Sequence, residues 1–376
     1  MSFGVYVHWP YCTAICPYCD FNVYRARGAD SAPLLSAIIA DMEAHAERFG
    51  RRRAETLFLG GGTPSLLRGD DVGRLIDAAS RVFGLAADAE ITLEANPENW
   101  PLFAEHCAAG VNRLSVGVQA LDDAALKTLG RSHDSATSVQ AVEAAAKACP
   151  RVSVDLIYAR EGQGVDGWRD ELSRALALPV EHVSLYQLTI EADTAFARKV
   201  ARGALAPPDV ELAAQLYEAT QEVCDAAGVP AYEISNHARS ASAQARHNLI
   251  YWRSGDWIGI GPGAHGRITH AGSRLATEAQ RRPGDYIDAV RENGLGWIGE
   301  ASLTAEEAGD EVLIMGLRIV EGLDLARLEH MRGRPLNAHA LAWLREQNLV
   351  EQDGARVRLT PSGRLVANQI AAELAA

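Results

Sequence analysis

Hydrophobic residues along the first two thirds of the chain follow two alternating patterns. Short apolar or β-branched runs are followed by longer stretches in which apolar residues recur at helical spacing, as in βα units around a parallel sheet. We predict six strands, at residues 4–8, 56–59, 90–94, 113–116, 152–157 and 182–187. The predicted helices between them include residues 32–48, 69–83, 135–148 and 166–177. Six such units form an open doubly wound sheet or a partly closed barrel, and both folds bind ligands at the carboxyl ends of the strands.

The last third of the chain has a different character. A helical pattern runs from residue 207 to about residue 227, and the segment that follows is rich in glycine and aromatic residues, which predicts a packed loop region lining a pocket. From about residue 301, short helices, a hairpin with its turn at Asp353-Gly354 and a final helix from Pro361 indicate a winged-helix-like module. We therefore expect three parts: a barrel at 1–230, an insertion at 231–300 and a C-terminal domain at 301–376.

Composition narrows the class of protein. The chain is 48% hydrophobic and 23% charged, with a net charge of −13, so we expect no binding to nucleic-acid phosphates. No run of apolar residues is long enough for a transmembrane helix, and the N-terminus lacks the pattern of a secretory signal. We expect a cytoplasmic protein, in a reducing compartment that keeps thiols free.

Three cysteines near the N-terminus carry the clearest chemistry. Cys12, Cys16 and Cys19 form a CxxxCxxC motif. A disulfide is one alternative, but three is an odd number and the other cysteines are scattered. Zinc is a second alternative, with His8 as a fourth ligand, although no second ligand pair follows. An iron–sulfur cluster held by three cysteines is the third, and it leaves one iron open to a substrate.

Other candidate residues follow the predicted strands. A Gly60-Gly61-Gly62 triplet follows the second strand, where backbone atoms without a Cβ allow close approach of a ligand. Glu94 and Asp155 lie at the ends of apolar strands, and a buried carboxylate there needs a partner such as a salt bridge, an amino group or ribose hydroxyls. Arg131 is suited to a carboxylate, and Gln119 to sugar hydroxyls.

His247, in the segment HNLIYW, has two open interpretations. A histidine among aromatic residues is commonly an interior residue with its hydrogen bonds satisfied. The same imidazole beside Tyr251 and Trp252 also suits a haem-iron ligand with flat rings against the porphyrin. The pattern alone does not decide between them.

The ordered motifs resemble a known superfamily. CxxxCxYC, GGGTP, EANP and SVGVQ, each after successive predicted strands, are similar to radical S-adenosylmethionine proteins of the coproporphyrinogen-oxidase-like branch. The resemblance covers essentially the whole chain and implies an α/β fold, a partial (β/α)6 barrel with a small C-terminal winged-helix-like domain. It also implies a [4Fe-4S] cluster on Cys12, Cys16 and Cys19, with S-adenosyl-L-methionine on the fourth iron and a reductant protein such as flavodoxin or ferredoxin. The residues that the resemblance places around S-adenosylmethionine are Tyr6, Gly61, Gly62, Thr63, Glu94, Gln119, Arg131, Asp155 and, near the adenine, Ile157.

Two members of this branch are distinguished by a few positions. The oxygen-independent coproporphyrinogen III oxidases have a further cysteine where this chain has Phe21, and they carry an N-terminal extension. The haem chaperone family of the same branch has a short N-terminus and an HNxxYW motif, which residues 247–252 match. This resemblance implies that the chain binds haem through His247 and passes it to an acceptor protein. The oxidative decarboxylase is the alternative, and a radical enzyme acting on another substrate is a third.

Two departures from the family pattern stand out. Ala159-Arg160-Glu161 replaces a Gly-Leu-Pro turn beside the expected cofactor pocket, which predicts altered cofactor affinity. His237 stands where phenylalanine is common, and it is either an additional ligand or without function.

Overall fold

A large sheet carries most of the chain. The computed structural model describes residues 2–28 and 30–375, and within them the sheet has eleven strands in the order β13-β12-β11-β10-β1-β4-β5-β6-β7-β8-β9. The strands are β1 Phe3–Trp9, β2 Tyr11–Cys12, β3 Tyr24–Arg25, β4 Ala54–Gly61, β5 Leu85–Ala95, β6 Arg113–Gln119, β7 Arg151–Tyr158, β8 His182–Gln187, β9 Asn236–Ala238, β10 Asp256–Ile260, β11 His265–His270, β12 Ser273–Ala279, β13 Trp297–Ser302, β14 Leu323–Asp324, β15 Val350–Asp353 and β16 Arg356–Leu359.

Helices connect these strands. The α-helices are α1 Ala32–Phe49, α2 Gly69–Phe83, α3 Phe103–Ala108, α4 Asp123–Thr128, α5 Ser135–Ala148, α6 Val165–Leu176, α7 Ala195–Ala201, α8 Val210–Ala226, α9 Arg246–Trp252, α10 Pro283–Asn293, α11 Ala305–Arg318, α12 Leu325–Arg332, α13 Ala338–Glu346, α14 Pro361–Arg364 and α15 Ala367–Ala375, with 3-10 turns at Pro64–Leu66, Pro97–Leu102 and Ala241–Ala243. Among the described residues, no helix combines the length and the apolar character needed to cross a lipid bilayer.

The six predicted strands form the central part of the sheet. β1, β4, β5, β6, β7 and β8 lie side by side in chain order, and each neighbouring pair is parallel. Their core residues are almost fully buried, as parallel strands covered on both faces require. The predicted partial (β/α)6 barrel is therefore confirmed, and the carboxyl ends of its strands meet at one face.

Helix starts agree with local sequence signals. The side chain of Asp134 accepts a hydrogen bond from the backbone N–H of Thr137 at the start of α5. Thr304 and Glu307 form a reciprocal capping box at the start of α11. Such caps satisfy backbone N–H groups that the first turn leaves without partners.

The prediction of a packed loop region directly after residue 230 is wrong for residues 232–266. These residues contain β9, α9, β10 and the start of β11, and β10 to β13 extend the sheet beyond β1. β10 pairs in parallel with β1, with Tyr6 opposite Gly259, and Ile258 and Ile260 are buried in the main hydrophobic core. The apolar run from Trp257 to Ile260 is short and interrupted by glycine, so its pattern does not separate strand from loop.

The C-terminal residues form a second hydrophobic cluster, built from side chains between Val312 and Leu374. Helices α11 to α15 pack around the small sheet β14-β16-β15, an arrangement that matches the predicted winged-helix-like module. An ion pair between Arg318 and Glu233, 3.0 Å, joins this module to the barrel side. The division of the chain at residues 230 and 300 stays a prediction.

Candidate functional site

A cavity of about 360 Å³ opens at the carboxyl ends of the barrel strands. Its lining brings together most of the candidate residues: Cys12, Cys16, Cys19, Gly61, Gly62, Thr63, Glu94, Gln119, Arg131, Asp155 and Ile157. These residues come from several different strand ends and the loop after β1. The parallel topology therefore converts motifs far apart in sequence into one site.

The three cysteines lie on the loop that follows β1. Cys12 ends β2, which pairs with β3, and the backbone N–H of Cys19 donates to the carbonyl of Cys16 at 3.1 Å. Burial raises the pKa of the Cys12 thiol, and raises the pKa of the Cys19 thiol to about 11. Ionisation of these thiols therefore needs a positive metal centre beside them.

The three thiols line one cavity: Cys12, Cys16 and Cys19 all border it.

The glycine triplet holds the cysteine loop against β4. The Gly62 N–H donates to the Trp9 carbonyl at 2.6 Å, and the Thr63 N–H donates to the Tyr11 carbonyl at 2.9 Å. A Cβ on Gly62 would lie 2.8 Å from both of those carbonyl oxygens, and Gly61 has φ +105°. Glycine is therefore required here by the protein's own close packing, while the same residues also line the cavity.

Two carboxyl groups face the cavity from neighbouring parts of the sheet. Glu94 accepts from the Gly61 N–H at 2.9 Å, and Asp155 accepts from the Ser115 hydroxyl at 3.1 Å. Burial raises the pKa of Glu94 to about 7, and the charge of Asp155 adds to the rise. Burial likewise raises the pKa of Asp155. A cationic or hydroxyl-rich ligand would relieve this crowding of two carboxyl groups.

Arg131 connects the carboxylate side of the cavity with the cysteines. Its guanidinium donates to the Cys16 sulfur at 3.4 Å, to Asn96 Oδ1 at 2.6 Å and to the Gly117 carbonyl at 3.2 Å. Burial alone would lower the pKa of Arg131, but the neighbouring Tyr18 and Cys16 raise it. The positive charge therefore stays at the cavity wall.

Sequence reasoning missed several residues of the lining. Tyr18, Asn96, Ser115 and Tyr186 all border the cavity. Asn96 and Ser115 stand inside the EANP and SVGVQ motifs, so their position at strand ends is a usable signal. Tyr186 also stands near the carboxyl end of a predicted strand, so its position carries the same signal.

Two predicted site residues, Tyr6 and His247, are not among the residues that line the cavity. The Tyr6 hydroxyl bonds His8 Nδ1 at 2.9 Å, and the role of Tyr6 beside the cluster stays a prediction. His247, on α9, is 1% exposed and stacks on Phe58 at 5.1 Å between ring centroids. Its placement beside Tyr6 inside the barrel separates it from the cavity.

Both ring nitrogens of His247 are occupied. Nδ1 bonds the Thr56 hydroxyl at 2.7 Å, and Nε2 bonds the Tyr251 hydroxyl at 2.7 Å. Burial lowers the pKa of His247 to about 4, so the ring is neutral. In this conformation neither nitrogen is open to an iron ion. The role of His247 as haem ligand stays a prediction, and it would require one of these two hydrogen bonds to break.

The residues that depart from the family pattern, 159–161 and His237, do not line the cavity. Ala159 has φ +57°, a left-handed conformation that favours glycine. The Arg160 side chain points away from the cavity into a buried ion pair with Glu171, which also accepts from the Leu121 N–H at 2.7 Å. His237 is fully buried on β9 and does not border the cavity.

The partial barrel and the three-cysteine cavity define the class as radical S-adenosylmethionine proteins, and comparison with known families agrees. Residues 6–174 match the Radical SAM superfamily, and residues 303–366 match the HemN C-terminal domain. The fold is similar to that of coproporphyrinogen III oxidase (HemN) from Escherichia coli, with a TM-score of 0.82 and 22% identity, covering 99% of this chain and 90% of that one.

Two named relatives are more similar in sequence than that oxidase. Heme chaperone HemW from Mycobacterium tuberculosis is 38% identical over 374 residues, which cover 98% of this chain and 93% of that protein. Bovine radical S-adenosyl methionine domain-containing protein 1, mitochondrial, is 41% identical over 327 residues, 85% of this chain and 74% of that protein. The chain belongs to the HemW family of the radical SAM superfamily.

Proposed function

We propose that this protein is a haem chaperone that binds a [4Fe-4S] cluster, S-adenosylmethionine and haem, and passes haem to an acceptor protein. The observation that carries the proposal is the 38% identity, over 98% of the chain, with a protein named heme chaperone HemW. Haem would be the cargo, while the cluster and S-adenosylmethionine would be resident cofactors.

The cavity residues fit the resident cofactors. Cys12, Cys16 and Cys19 would hold the cluster, whose open iron would chelate the amino and carboxylate groups of S-adenosylmethionine. Gly62 and Thr63 border the cavity beside the cysteines and would contact the methionyl part. The remaining cofactor contacts that we propose come from Gly61, Glu94, Gln119, Arg131, Asp155 and Ile157.

Charge in the cavity supports this assignment. Glu94 and Asp155 are crowded carboxyl groups that suit the cationic and hydroxyl groups of S-adenosylmethionine. Arg131 keeps a positive charge next to Cys16, where it would stabilise the net negative charge of thiolates and cluster sulfides. Glu94, Asp155 and Arg131 would together hold S-adenosylmethionine in the cavity and limit access of water to it.

Phe21 favours the chaperone over the oxidase. It occupies the position at which the oxidases have a further cysteine, and it is 61% exposed at the rim of the cavity. The similarity to the oxidase HemN, at 22% identity, concerns the fold alone. A cytoplasmic location and a flavodoxin or ferredoxin reductant remain predictions.

An anaerobic product assay tests the proposal. The reconstituted protein is incubated with reductant, S-adenosylmethionine and coproporphyrinogen III, and porphyrin products are quantified beside an authentic oxidase as positive control. We expect no protoporphyrinogen IX above the level given by a Cys16→Ser variant. Product formed by the wild-type chain and absent from the variant would replace the chaperone assignment with the oxidase.

A further inference from the structure

Gln119, a residue of the cofactor cavity, has a strained backbone conformation. Its φ is +66°, in the left-handed region that residues other than glycine rarely adopt. The Ala120 N–H donates to the Val118 carbonyl at 2.8 Å, which makes Gln119 the central residue of a γ-turn with positive φ. Turns of this form are rare and strained. A residue strained in this way persists only where the surrounding structure holds it in place.

The Gln119 amide lies beside Arg131 at the cavity wall. A Cβ placed on Gly117 would lie 2.8 Å from Gln119 Nε2 and 3.6 Å from Arg131 Nη2, so both side chains pack over this glycine. The pairing of β6 with β7 is irregular between Val116 and Gln119, and such irregularities re-aim a side chain relative to a regular strand. The strained turn therefore sets where the amide of Gln119 lies in the cavity.

Helix α6 holds the chain directly after the turn. Glu171, on α6, accepts a hydrogen bond from the Leu121 N–H at 2.7 Å. Arg174, three residues further along the same helix, donates to the Leu121 carbonyl at 3.4 Å. Glu171 and Leu121 are both buried, so the hydrogen bond between them is shielded from water. Both backbone groups of Leu121 are therefore fixed two residues after Gln119.

Arg160 in turn holds Glu171. Its guanidinium forms an ion pair with the Glu171 carboxylate, which also accepts from Gln163 Nε2 at 3.2 Å. Both partners are buried, and Glu171 is the only ion-pair partner of Arg160 among the described residues. Removing one charge of a buried pair leaves the other without compensation. Arg160 stands where the family pattern has leucine, so proteins with the usual turn cannot form this ion pair.

We infer that Arg160 and Glu171 are positioning residues for the binding of S-adenosylmethionine. They hold Leu121 so that Gln119 stays in its strained turn and presents its amide to the cofactor. The inference rests on the proposed function, because it takes Gln119 as a contact of the cofactor. Arg160 and Glu171 do not line the cavity, so they act on the cofactor through Gln119. The departure from the family turn thus contributes to cofactor affinity from outside the cavity.

Calorimetric titration of S-adenosylmethionine into the cluster-reconstituted protein tests this coupling. We expect Glu171→Ala to weaken binding roughly tenfold and Arg160→Ala by about threefold or more, whereas Arg160→Lys keeps the charge and should stay close to wild type. Arg160→Ala leaves Glu171 in place and is the second variant should Glu171→Ala fail to fold. Arg169→Ala is the matched control, since it removes an ion pair that joins the same helix to Glu222, and it should bind as wild type does.

A double-mutant cycle separates positioning from a general loosening of the fold. In a Gln119→Ala background, Glu171→Ala and Arg160→Ala should weaken binding no further, because the amide that they position is already absent. Equal losses in both backgrounds, or an equal loss in Arg169→Ala, would overturn the inference. A folded Gln119→Ala, Glu171→Ala or Arg160→Ala protein with wild-type affinity would do the same. Wild-type protein that holds its cluster but fails to bind S-adenosylmethionine would overturn the proposed function instead.

The strain at Gln119 is measured without any cofactor. Urea denaturation of the cofactor-free protein should give a higher midpoint for Gln119→Gly than for Gln119→Ala, because glycine adopts a positive φ without steric strain and alanine does not. Equal midpoints, or a higher midpoint for the alanine variant, would show that the turn is unstrained and would remove the basis of the inference.

Discussion

Replacing His247 by alanine is expected to destabilise the barrel itself. The substitution removes the bridge that joins Thr56 on β4 to Tyr251 on α9, through two hydrogen bonds of 2.7 Å. It also removes the ring that stacks on Phe58. The site is 1% exposed, so water cannot replace these interactions without entering the core.

The expected loss of stability in His247→Ala follows from the interactions that the imidazole makes. Two hydrogen bonds contribute about 1 kcal/mol each, the stacked pair about 1 kcal/mol, and the cavity about 1 kcal/mol or more. We therefore expect the free energy of unfolding to fall by roughly 3 to 5 kcal/mol, which lies within the range seen for large-to-small changes in cores.

Urea denaturation of the cofactor-free protein under reducing conditions measures this change. With an m-value of about 3 kcal/mol/M, the midpoint should fall by roughly 1 M or more. His270→Ala, an exposed histidine on β11, should leave the midpoint within about 0.2 M, because surface substitutions change stability by about 0.5 kcal/mol or less. A His247→Ala variant as stable as wild type would refute the structural role of this imidazole.

Three further predictions concern pH, cofactor affinity and backbone strain. The pKa of His247 is lowered to about 4 in the fold from an ordinary value of 6.5. The neutral imidazole therefore contributes fully to the free energy of unfolding above pH 6.5, and this contribution is lost as pH falls towards 4. The free energy of unfolding lost over this pH range is about 3 kcal/mol. The urea midpoints at pH 7 and pH 5 should therefore differ more for wild type than for His247→Gln. An equal pH dependence of the two proteins would contradict this prediction. Glu94→Gln should weaken S-adenosylmethionine binding roughly tenfold, and unchanged affinity by calorimetry would remove Glu94 from the cofactor site. At pH values above 7 the same variant should have a higher urea midpoint than wild type in the cofactor-free protein, because no buried carboxylate has to ionise. Ala159→Gly should stabilise the protein by about 1 kcal/mol, since φ +57° costs alanine more than glycine; a lower urea midpoint would show that the strain is not relieved.

The sequence predicted the parts of the site that follow local rules. The CxxxCxxC loop and the glycine triplet stand at strand ends, and the carboxylates Glu94 and Asp155 stand in the carboxyl-terminal halves of their strands, so the parallel topology brings them together. The barrel is predictable for the same reason, because its strands alternate with helices along the chain.

Long-range packing explains what the sequence did not predict. β10 belongs to the sheet because Trp257 lies opposite Gly4, a residue near the other end of the barrel sequence. The interior place of His247 depends on Glu90, which accepts from the backbone N–H groups of Arg246 and His247 at 3.0 Å and fixes the start of α9 inside the barrel. Neither pairing leaves a periodic pattern in the local sequence.

Haem binding by the anaerobically reconstituted protein tests the central claim most directly. The measurement is a titration followed at the Soret band, with the haem content of the isolated complex determined separately. A haem chaperone must bind haem saturably and in stoichiometric amount, retain its cluster, and release the haem intact to an apo-haemoprotein. Absence of saturable binding in a folded, cluster-containing preparation would contradict the account.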